Sequence, residues 1–413
     1  MKTAVVLFNL GGPDSLAAVK PFLFNLFNDP AIIGAPGPVR YLLAKLISGR
    51  RERKAQGIYA QMGGRSPILP QTQAQAAALE AALNGAAADG QWRCFVAMRY
   101  WNPRAAEALA DVMQWGPDRV VLLPLYPQFS TTTSASSLRE WLELADAAGL
   151  RAPTTALCCW PDNAALVDAI VRAARPAIAE AAKAGRPRVL FSAHGLPEKI
   201  VKAGDPYVRQ VGRTAAALAL ALGLKSGAVD DEDADYDVCF QSRVGPLRWV
   251  GPATEERVVN AARSGRPIVM VPIAFVSEHS ETLVELDIEY RELAQHHGAP
   301  AYVRVPTVQA DAGFIAGLAD LARFAAAQGR GSFAGAQEGG AGAGECPLDC
   351  SACARRQMRW AAARGEVSPP GANKPVDFGV ALPRSKPPPG YSETPGALAE
   401  AVVTYPPLGG IRN

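Results

Sequence analysis

Short apolar runs alternate with longer alanine- and leucine-rich stretches through most of the chain, and this alternation restricts the possible folds more than any other feature. The apolar runs predict strands at residues 3–9, 93–100, 119–126, 154–159, 188–194, 236–242, 267–275 and 301–305. Helical spacing of apolar residues predicts helices at 134–148, 163–183, 206–222 and 310–327. Continuous Val, Ile and Leu runs that alternate with helices predict a doubly wound, parallel α/β sheet.

Eight predicted strands exceed what one Rossmann-like half-sheet needs, so we expect two similar α/β domains. The predicted boundaries are residues 1–160 for the first domain and 161–309 for the second. We expect the helix at 310–327 to pack back on the first domain. In such sheets ligands bind beyond the carboxyl ends of the strands, and polar residues of this chain gather there.

The C-terminal region differs in composition, and we expect it to be a flexible extension. Residues 328–345 are rich in glycine and predict a linker. Residues 346–360 contain three cysteines. Residues 361–413 are rich in proline and lack the apolar periodicity of a core, which predicts a largely disordered tail.

Composition and charge exclude two classes of protein. The net charge of +3, without a segment that interleaves arginine and aromatic residues, argues against nucleic-acid binding. No apolar run reaches the roughly 18–20 residues that a membrane span needs. The first apolar run continues into Gly11-Gly12-Pro13-Asp14 rather than a cleavage site, which favours a strand over a signal peptide. We expect a cytoplasmic protein whose seven cysteines are thiols or metal ligands.

A cluster of acidic residues follows the predicted strand at 267–275. In a helix over 280–295, Glu281, Glu285 and Glu289 would form one stripe, because residues four apart share a helix face. Apolar residues flank the stripe on both sides, which a simple amphipathic helix would not show. Carboxylate oxygens are hard ligands, so we predict that the stripe handles a cation, with a solvated charged face as the alternative.

Two histidines lie at strand ends, where they could face these carboxylates. His194 ends the apolar strand in the stretch FSAHGLP, and His279 precedes Glu281 at the strand-to-helix junction. One imidazole with one or two carboxylates suits a borderline divalent ion such as Fe²⁺. His194 is therefore a candidate base or metal ligand, with a capping or packing role as the alternative for either histidine.

Long sequence motifs that contain these histidines and carboxylates, and others like them, occur over most of the chain. They read LFNLGGPDSLAAVKPFLFNLFNDP (7–30), GGRSPI (63–68), MRYWNP (98–103), LLPLYPQFSTTTSASSL (122–138), FSAHGLP (191–197), AGDPY (203–207), FQSRVGPLRWVGPATEE (240–256) and VPIAFVSEHSETLVELDIEY (271–290). In these motifs the chain resembles the ferrochelatases, enzymes that insert Fe²⁺ into a porphyrin in haem synthesis. The motifs occur in the same order as in that family and cover about residues 3–325.

The resemblance implies the chelatase fold, in which two Rossmann-like domains hold the porphyrin between them. It makes His194 and Glu281 the principal catalytic and iron-binding pair, without deciding which binds iron and which accepts protons. The implied acidic path comprises Glu278, His279, Glu285 and Glu289. The substrates would be Fe²⁺ and a porphyrin, and the long tail with its cysteines favours protoporphyrin IX over coproporphyrin.

A site that bends a rigid, apolar macrocycle needs aromatic and apolar walls. The resemblance also places Arg99 and Tyr100 in the site, from the first domain. The predicted porphyrin-binding residues are Arg99, Tyr100, Tyr126, Phe129, Ser130, Trp249 and Phe275. Core packing is the alternative role for each of the aromatic side chains.

The C-terminal cysteines predict a second metal site. Cys346, Cys350 and Cys353 form a C-x3-C-x2-C pattern, one ligand short of a four-thiolate site. Cys158 and Cys159 end a predicted strand and point to opposite faces, so only one of them can join. Some ferrochelatases hold a [2Fe–2S] cluster with a similar arrangement. That resemblance implies such a cluster here, with Cys158 as the fourth ligand, Cys159 as the alternative and zinc as the competing occupant.

Residues 22–54 alternate apolar clusters with arginine and lysine. The resemblance supports an apolar lip that admits the porphyrin, with basic residues for its propionates or for anionic lipid head groups. We therefore expect weak peripheral membrane contact at most. A helix pair with a solvated basic end is the alternative.

Three other functions compete with the chelatase interpretation. A dinucleotide-dependent oxidoreductase would need G-x-G-x-x-G, which NLGGPD does not supply. A chelatase of the same fold could insert cobalt or nickel into another tetrapyrrole. A non-catalytic haem or iron–sulfur sensor that uses the tail would retain haem without turnover. The sequence leaves the oligomeric state open.

Overall fold

The computed structural model of the protein describes residues 1–85, 90–226, 233–242 and 247–328, together with the backbone of residues 331–334. The predicted cysteine segment, the proline-rich tail and the linker after residue 334 lie outside the described residues.

The strands of the described residues form two parallel sheets. They are β1 (Lys2–Asn9), β2 (Gln91–Met98), β3 (Arg119–Pro124), β4 (Thr154–Cys159), β5 (Arg188–His194), β6 (Tyr236–Gln241), β7 (Ile268–Pro272), β8 (Tyr302–Arg304) and β9 (Gly331–Ala334). The first sheet has the order β2-β1-β3-β4-β9 and the second β6-β5-β7-β8, with every pairing parallel. The predicted class, an α/β protein with two Rossmann-like parallel sheets, is confirmed.

Helices connect the strands. They are α1 (Val19–Phe27), α2 (Gly37–Gln61), α3 (Ile68–Leu83), α4 (Ala105–Trp115), α5 (Ser134–Ala147), α6 (Ala164–Ala181), α7 (Glu198–Lys202), α8 (Tyr207–Leu222), α9 (Thr254–Arg263), α10 (Tyr290–His296) and α11 (Ala312–Ala327). A 3₁₀ turn spans Ala182–Ala184, and a π-helix spans Glu281–Glu289 directly before α10.

The first strand shows how the sequence determines both the sheet and the turn that follows it. Residues 4–7 of β1 have no exposed surface, because helices cover both faces of a parallel sheet. Beyond the strand, Gly11 has a φ of 82°, a conformation that favours glycine. A Cβ at Gly11 would lie 3.0 Å from the backbone nitrogen of Trp101. The glycine therefore permits close packing at the carboxyl end of β1.

The linker prediction for 328–345 is wrong over Gly331–Ala334, which form β9. This strand pairs in parallel with β4, and Ala334 lies opposite Cys159. A four-residue segment without an apolar run carries no strand signal in the sequence. The unpaired edge of β4 supplies the backbone partners instead.

The helix predicted over 280–295 exists, but its first part is a π-helix instead of the expected α-helix. Glu281–Glu289 form a π-helix, and the Tyr290 N–H donates to the carbonyl of Glu285, five residues back. Regular α-helix begins only at Tyr290. A π-helix is rare and frequently marks a functional site, and a spacing pattern does not distinguish it from an α-helix.

One apolar core runs through both halves of the molecule. It joins Leu7 and Leu123 of the first sheet to Phe191 and Val271 of the second. The helices α6 and α11 contribute buried side chains to the same core, and α11 packs against α3, α6, β3 and β4. The carboxyl ends of the two sheets are thereby held in a fixed relation.

Candidate active site

The candidate site is centred on an imidazole–carboxylate pair. His194 is the last residue of β5, and Glu281 is the first residue of the π-helix. The Nδ1 atom of His194 lies 2.8 Å from the Oε2 atom of Glu281. The His194 side chain is 41% exposed and that of Glu281 is 23% exposed, so the pair remains accessible from outside. The structure thus brings together the two residues that the sequence analysis favours most.

The two groups stabilise each other's charged forms. Burial opposes the charge on His194, but the Glu281 carboxylate outweighs it and raises the pKa of His194 above its ordinary value. Burial likewise opposes the charge on Glu281, but His194, His279 and Ser242 outweigh it and lower the pKa of Glu281 to about 2. Glu281 is therefore ionised throughout the physiological range.

Glu285 lies one turn further along the π-helix, in a different environment. Its Oε1 atom accepts hydrogen bonds from the Ser242 N–H at 2.8 Å and from the Tyr290 hydroxyl at 3.1 Å, and the Ser242 hydroxyl donates to Oε2. Burial and the nearby Glu281 charge raise the pKa of Glu285. Two carboxylates whose pKa values are displaced in opposite directions can take different roles in proton transfer.

Ser242 is a site residue that the sequence analysis did not identify. It follows β6 with a φ of 62°, a left-handed conformation that is unfavourable for residues other than glycine. This conformation directs both its N–H and its hydroxyl to Glu285. Its sequence signals are its position in the FQSRVGP motif and its place at the end of the predicted strand 236–242.

The other members of the predicted acidic path lie in different surroundings. The carboxylate of Glu278 is buried and accepts from Arg304 Nη1 at 3.0 Å and from the Thr307 N–H at 2.9 Å. Glu289 is exposed. The His279 ring is buried, and burial lowers the pKa of His279. Of the predicted path members, Glu285 is the carboxylate that continues from Glu281 along the π-helix and feels its charge.

Two of the predicted aromatic walls lie beside the histidines. The Trp249 ring is 6.5 Å from the His194 ring, in an edge-to-face arrangement. The Phe275 ring is 4.4 Å from the His279 ring. Both aromatic side chains are only partly buried, so Trp249 offers apolar surface next to the imidazole–carboxylate pair and Phe275 offers it next to His279.

Arg99 and Tyr100 act through a third residue, Asp29. Arg99 Nη2 lies 2.7 Å from Asp29 Oδ2, and the Tyr100 hydroxyl donates to the same oxygen at 2.8 Å. The other Asp29 oxygen accepts from the Ala31 N–H at 2.8 Å. Asp29 is almost fully buried. Arg99 and Tyr100 therefore hold the turn after α1, while Arg99 also bonds to α5 through Ser136 and Glu140.

The remaining predicted porphyrin contacts lie on the segment that follows β3. Phe129 is buried and Tyr126 is partly buried. The Ser130 hydroxyl donates to Asp205 Oδ2 at 3.0 Å, and the Thr131 N–H donates to the same oxygen at 2.7 Å. This bonding ties the segment to the loop between α7 and α8.

The predicted cluster ligand Cys158 is buried in β4 together with Cys159. Their sulfur atoms are 3.8 Å apart, and Gln210 Nε2 donates to Cys159 Sγ at 3.4 Å. The predicted partners Cys346, Cys350 and Cys353 lie outside the described residues. Among the residues that the structure describes, no group of three or more His, Cys, Asp or Glu could hold a metal ion, and no helix could cross a membrane.

A parallel α/β fold that presents an imidazole–carboxylate pair beyond the strand ends of its second sheet defines an α/β protein with a site that can exchange protons. The chain belongs to the ferrochelatase family, whose model matches residues 2–326. It is a lyase-class porphyrin metal chelatase that inserts Fe²⁺ into a porphyrin in haem biosynthesis. The resemblance stated from the motifs is confirmed, and the oxidoreductase alternative is wrong.

Curated ferrochelatases from bacteria are similar to this chain over most of their length. Those of Phenylobacterium zucineum and Caulobacter vibrioides are each 52% identical over 322 residues. These matches cover 78% of this chain, with 91% of the first relative and 90% of the second. Among solved structures, the sirohydrochlorin chelatase SirB from Bacillus subtilis subspecies spizizenii has a TM-score of 0.45 and 12% identity, over 79% of this chain and 96% of that one.

Proposed function

We propose that the chain inserts Fe²⁺ into protoporphyrin IX to give protohaem and two protons, and that His194 and Glu281 carry the reaction. The observation that supports this most directly is the 2.8 Å contact between His194 Nδ1 and Glu281 Oε2, on an imidazole that is still 41% exposed. Fe²⁺ is a substrate here, so the site needs to pass the ion on rather than enclose it in a full set of ligands.

The first proton goes to His194. In the neutral imidazole, Nδ1–H donates to the Glu281 carboxylate and Nε2 keeps a lone pair. Nε2 accepts the proton of a pyrrole N–H, while the pyrrole nitrogen keeps the bonding electron pair for Fe²⁺. Glu281 stabilises the imidazolium that results, since this carboxylate raises the pKa of His194.

The second proton leaves by way of Glu285. Its raised pKa means that it holds a proton at a higher pH than an ordinary glutamate. Ser242 and Tyr290 keep its carboxylate in place through three hydrogen bonds. Trp249 and Phe275 provide the apolar walls against which the macrocycle lies, next to the two histidines.

Loss of porphyrin fluorescence on addition of Fe²⁺ tests this assignment. We expect His194→Ala and Glu281→Gln each to slow metallation by about 100-fold or more, the range for a lost acid–base group. The matched control is Glu292→Gln, an exposed glutamate further along the same helical segment, which is expected to react like the wild type. Undiminished rates in both site variants would refute the assignment.

We also propose a [2Fe–2S] cluster held by Cys158, Cys346, Cys350 and Cys353, with zinc as the competing occupant. The pairing of β9 with β4 supports it, because Ala334 opposite Cys159 starts the chain toward Cys346 from the correct edge of the sheet. Twelve residues can span about 40 Å when extended, which is ample. Four thiolates would supply the ligands that such a cluster requires.

Visible absorption together with iron, sulfide and zinc analysis of the purified protein distinguishes the two occupants. We expect Cys158→Ser to abolish the absorption and Cys159→Ser to keep it. Cys94→Ser is the control, because Cys94 lies on β2 rather than at the β4–β9 edge. Stoichiometric zinc without sulfide would contradict the cluster.

We propose a cytoplasmic location with weak peripheral membrane contact through residues 22–54. Cys94 and Cys239, which form no disulfide, support a reducing compartment. Exposed apolar side chains on α2 support the contact. They are Val39, Tyr41, Leu42, Leu43 and Leu46.

A further inference from the structure

A fully buried glutamine of the first half bonds to the segment that carries the catalytic glutamate in the second. Gln75 lies on α3 with no exposed surface. Its Nε2 atom donates to the carbonyl of Val276 at 3.0 Å and to the carbonyl of Gln309 at 2.9 Å. Its Oε1 atom accepts from the Ser277 hydroxyl at 3.2 Å. Both donors and the acceptor of the amide are thus used, across the two halves of the molecule.

The residues that Gln75 contacts also bond to each other. The Gln309 N–H donates to the carbonyl of Val276 at 3.0 Å, so this oxygen joins the segments after β7 and β8. Gln309 holds a φ of 47°, an unfavourable value that the surrounding bonds maintain. One turn earlier on α3, Gln71 Oε1 accepts from the Glu278 N–H at 2.6 Å. Successive residues of the turn are therefore anchored to α3.

Glu278 completes this anchoring from the other side. Its carboxylate accepts from Arg304 Nη1 at 3.0 Å and from the Thr307 N–H at 2.9 Å. The turn is held between α3 and the segment that follows β8, three residues before Glu281. The start of the π-helix therefore has its position set by hydrogen bonds that arise in the first half.

We propose that Gln75 is a positioning residue, which holds the 276–278 turn so that Glu281 stays within hydrogen-bond distance of His194. The inference rests on the proposed function of that pair. An apolar side chain at this position would leave the Gln309 carbonyl and the Ser277 hydroxyl without their partner inside the protein, and the turn would shift to regain bonds. A displacement of about 1 Å at a reacting group can cost about 100-fold in rate.

Gln75→Met, which keeps the length of the side chain but lacks the amide, tests the proposal in the full chain. We expect kcat to fall about 10- to 100-fold while KM for the porphyrin changes less than about 3-fold. Asn163→Ala is the matched control, since it removes another buried amide, the N-cap of α6, far along the chain from the turn. The control should lose stability with kcat and KM near the wild-type values.

NMR titration of His194, one of only four histidines, gives a readout that general destabilisation would not move. The ionisable groups that face His194 and its pair are Glu281, Glu285, His279, Tyr59 and Tyr207. When Glu281 moves away, the pKa of His194 should fall toward its ordinary value in Gln75→Met and stay unchanged in Asn163→Ala. Ser277→Ala removes one hydrogen bond only, so it should show a smaller shift in the His194 pKa and a 2- to 5-fold loss of kcat. This variant replaces Gln75→Met if Gln75→Met does not fold.

The outcomes separate this proposal from the one on which it rests. If Glu281→Gln metallates at the wild-type rate, the proposed function of the pair fails. If Glu281→Gln is slow but Gln75→Met and Ser277→Ala match Asn163→Ala in kcat and in the His194 titration, the positioning role is overturned. A selective loss of kcat with a lowered His194 pKa supports it.

Discussion

At the scale of single residues, surroundings rather than spacing decide what each carboxylate of the π-helix can do. Glu281 faces His194 and has a pKa lowered to about 2, whereas Glu285 faces Ser242 and Tyr290 and has a raised pKa. Glu289, in the same sequence stripe, is exposed. One glutamate is thus a fixed negative charge, and its neighbour can exchange a proton.

The ion pair gives a pH-dependent contribution to stability. We expect Glu281→Gln to lower the free energy of unfolding most between about pH 4.5 and 6.5, the ordinary pKa values of the two groups. Because the folded pKa of Glu281 is lowered, its contribution is present above pH 4.5 and is lost as the pH falls toward 2. Because the folded pKa of His194 is raised, its contribution is present below pH 6.5 and is lost as the pH rises through the folded value.

Urea unfolding of wild type and Glu281→Gln at a series of pH values measures this difference. Glu292→Gln, at an exposed position, should show a difference that is small at every pH. A difference for Glu281→Gln that did not vary between pH 2 and 9 would show that the pair contributes nothing to folding.

Single residues also show what the sequence could not reveal. The sequence identifies His194 as the last residue of a predicted strand and Glu281 as the first glutamate of the acidic stripe that follows another. Asp29 and Gln75 give no such signal, and Ser242 gives only its place at the end of the predicted strand 236–242. Their roles depend on partners far along the chain, as when Asp29 binds Arg99 seventy positions away. Such contacts exist only after the two halves have packed together.

At the scale of elements, the sequence pattern predicts the strands well but does not predict the type of helix. The predicted limits of β4 and β5 agree with the structure, because each is a continuous run buried on both faces. The four residues of β9 lack that signal and become a strand by pairing with β4. The π-helix has the same i, i+4 pattern as an α-helix, so the sequence predicts a helix there but not its wider turn.

The exposed face of α2 carries a prediction at this scale. Leu42 is 66% exposed and Leu46 is 48% exposed, one turn apart on the same helix, next to Lys45. Apolar side chains beside basic ones favour binding to an anionic lipid surface. We expect the double substitution Leu42→Ser and Leu46→Ser to reduce flotation with vesicles that contain an anionic lipid.

Leu220→Ser is the control for that experiment. Leu220 is 81% exposed, but it lies on α8 rather than α2. Loss of an exposed leucine there should leave vesicle binding unchanged. If wild-type protein fails to float even with acidic vesicles, the membrane contact proposed for residues 22–54 does not occur.

At the scale of the whole molecule, the two sheets share one core while their carboxyl ends carry one site. The core that joins Leu7 to Val271 passes through α6 and α11. The hydrogen bonds of Gln75 cross between the halves beside the site. A rigid connection suits the chemistry proposed for the site, because an imidazole and a carboxylate can act together only at a fixed separation.

This continuity predicts that both sheets unfold together. We expect one transition in urea, with coincident far-ultraviolet circular dichroism and tryptophan fluorescence, although chains of this length often unfold in steps. Leu318→Ala in the middle of α11 should destabilise the protein by about 2–5 kcal/mol, the cost of truncating a buried leucine, and should lower both midpoints equally. Trp92 in the first half and Trp249 in the second provide local probes when each is kept as the sole tryptophan. Two transitions with separate midpoints would mean that the sheets are independent domains, as the predicted boundary near residue 160 would allow.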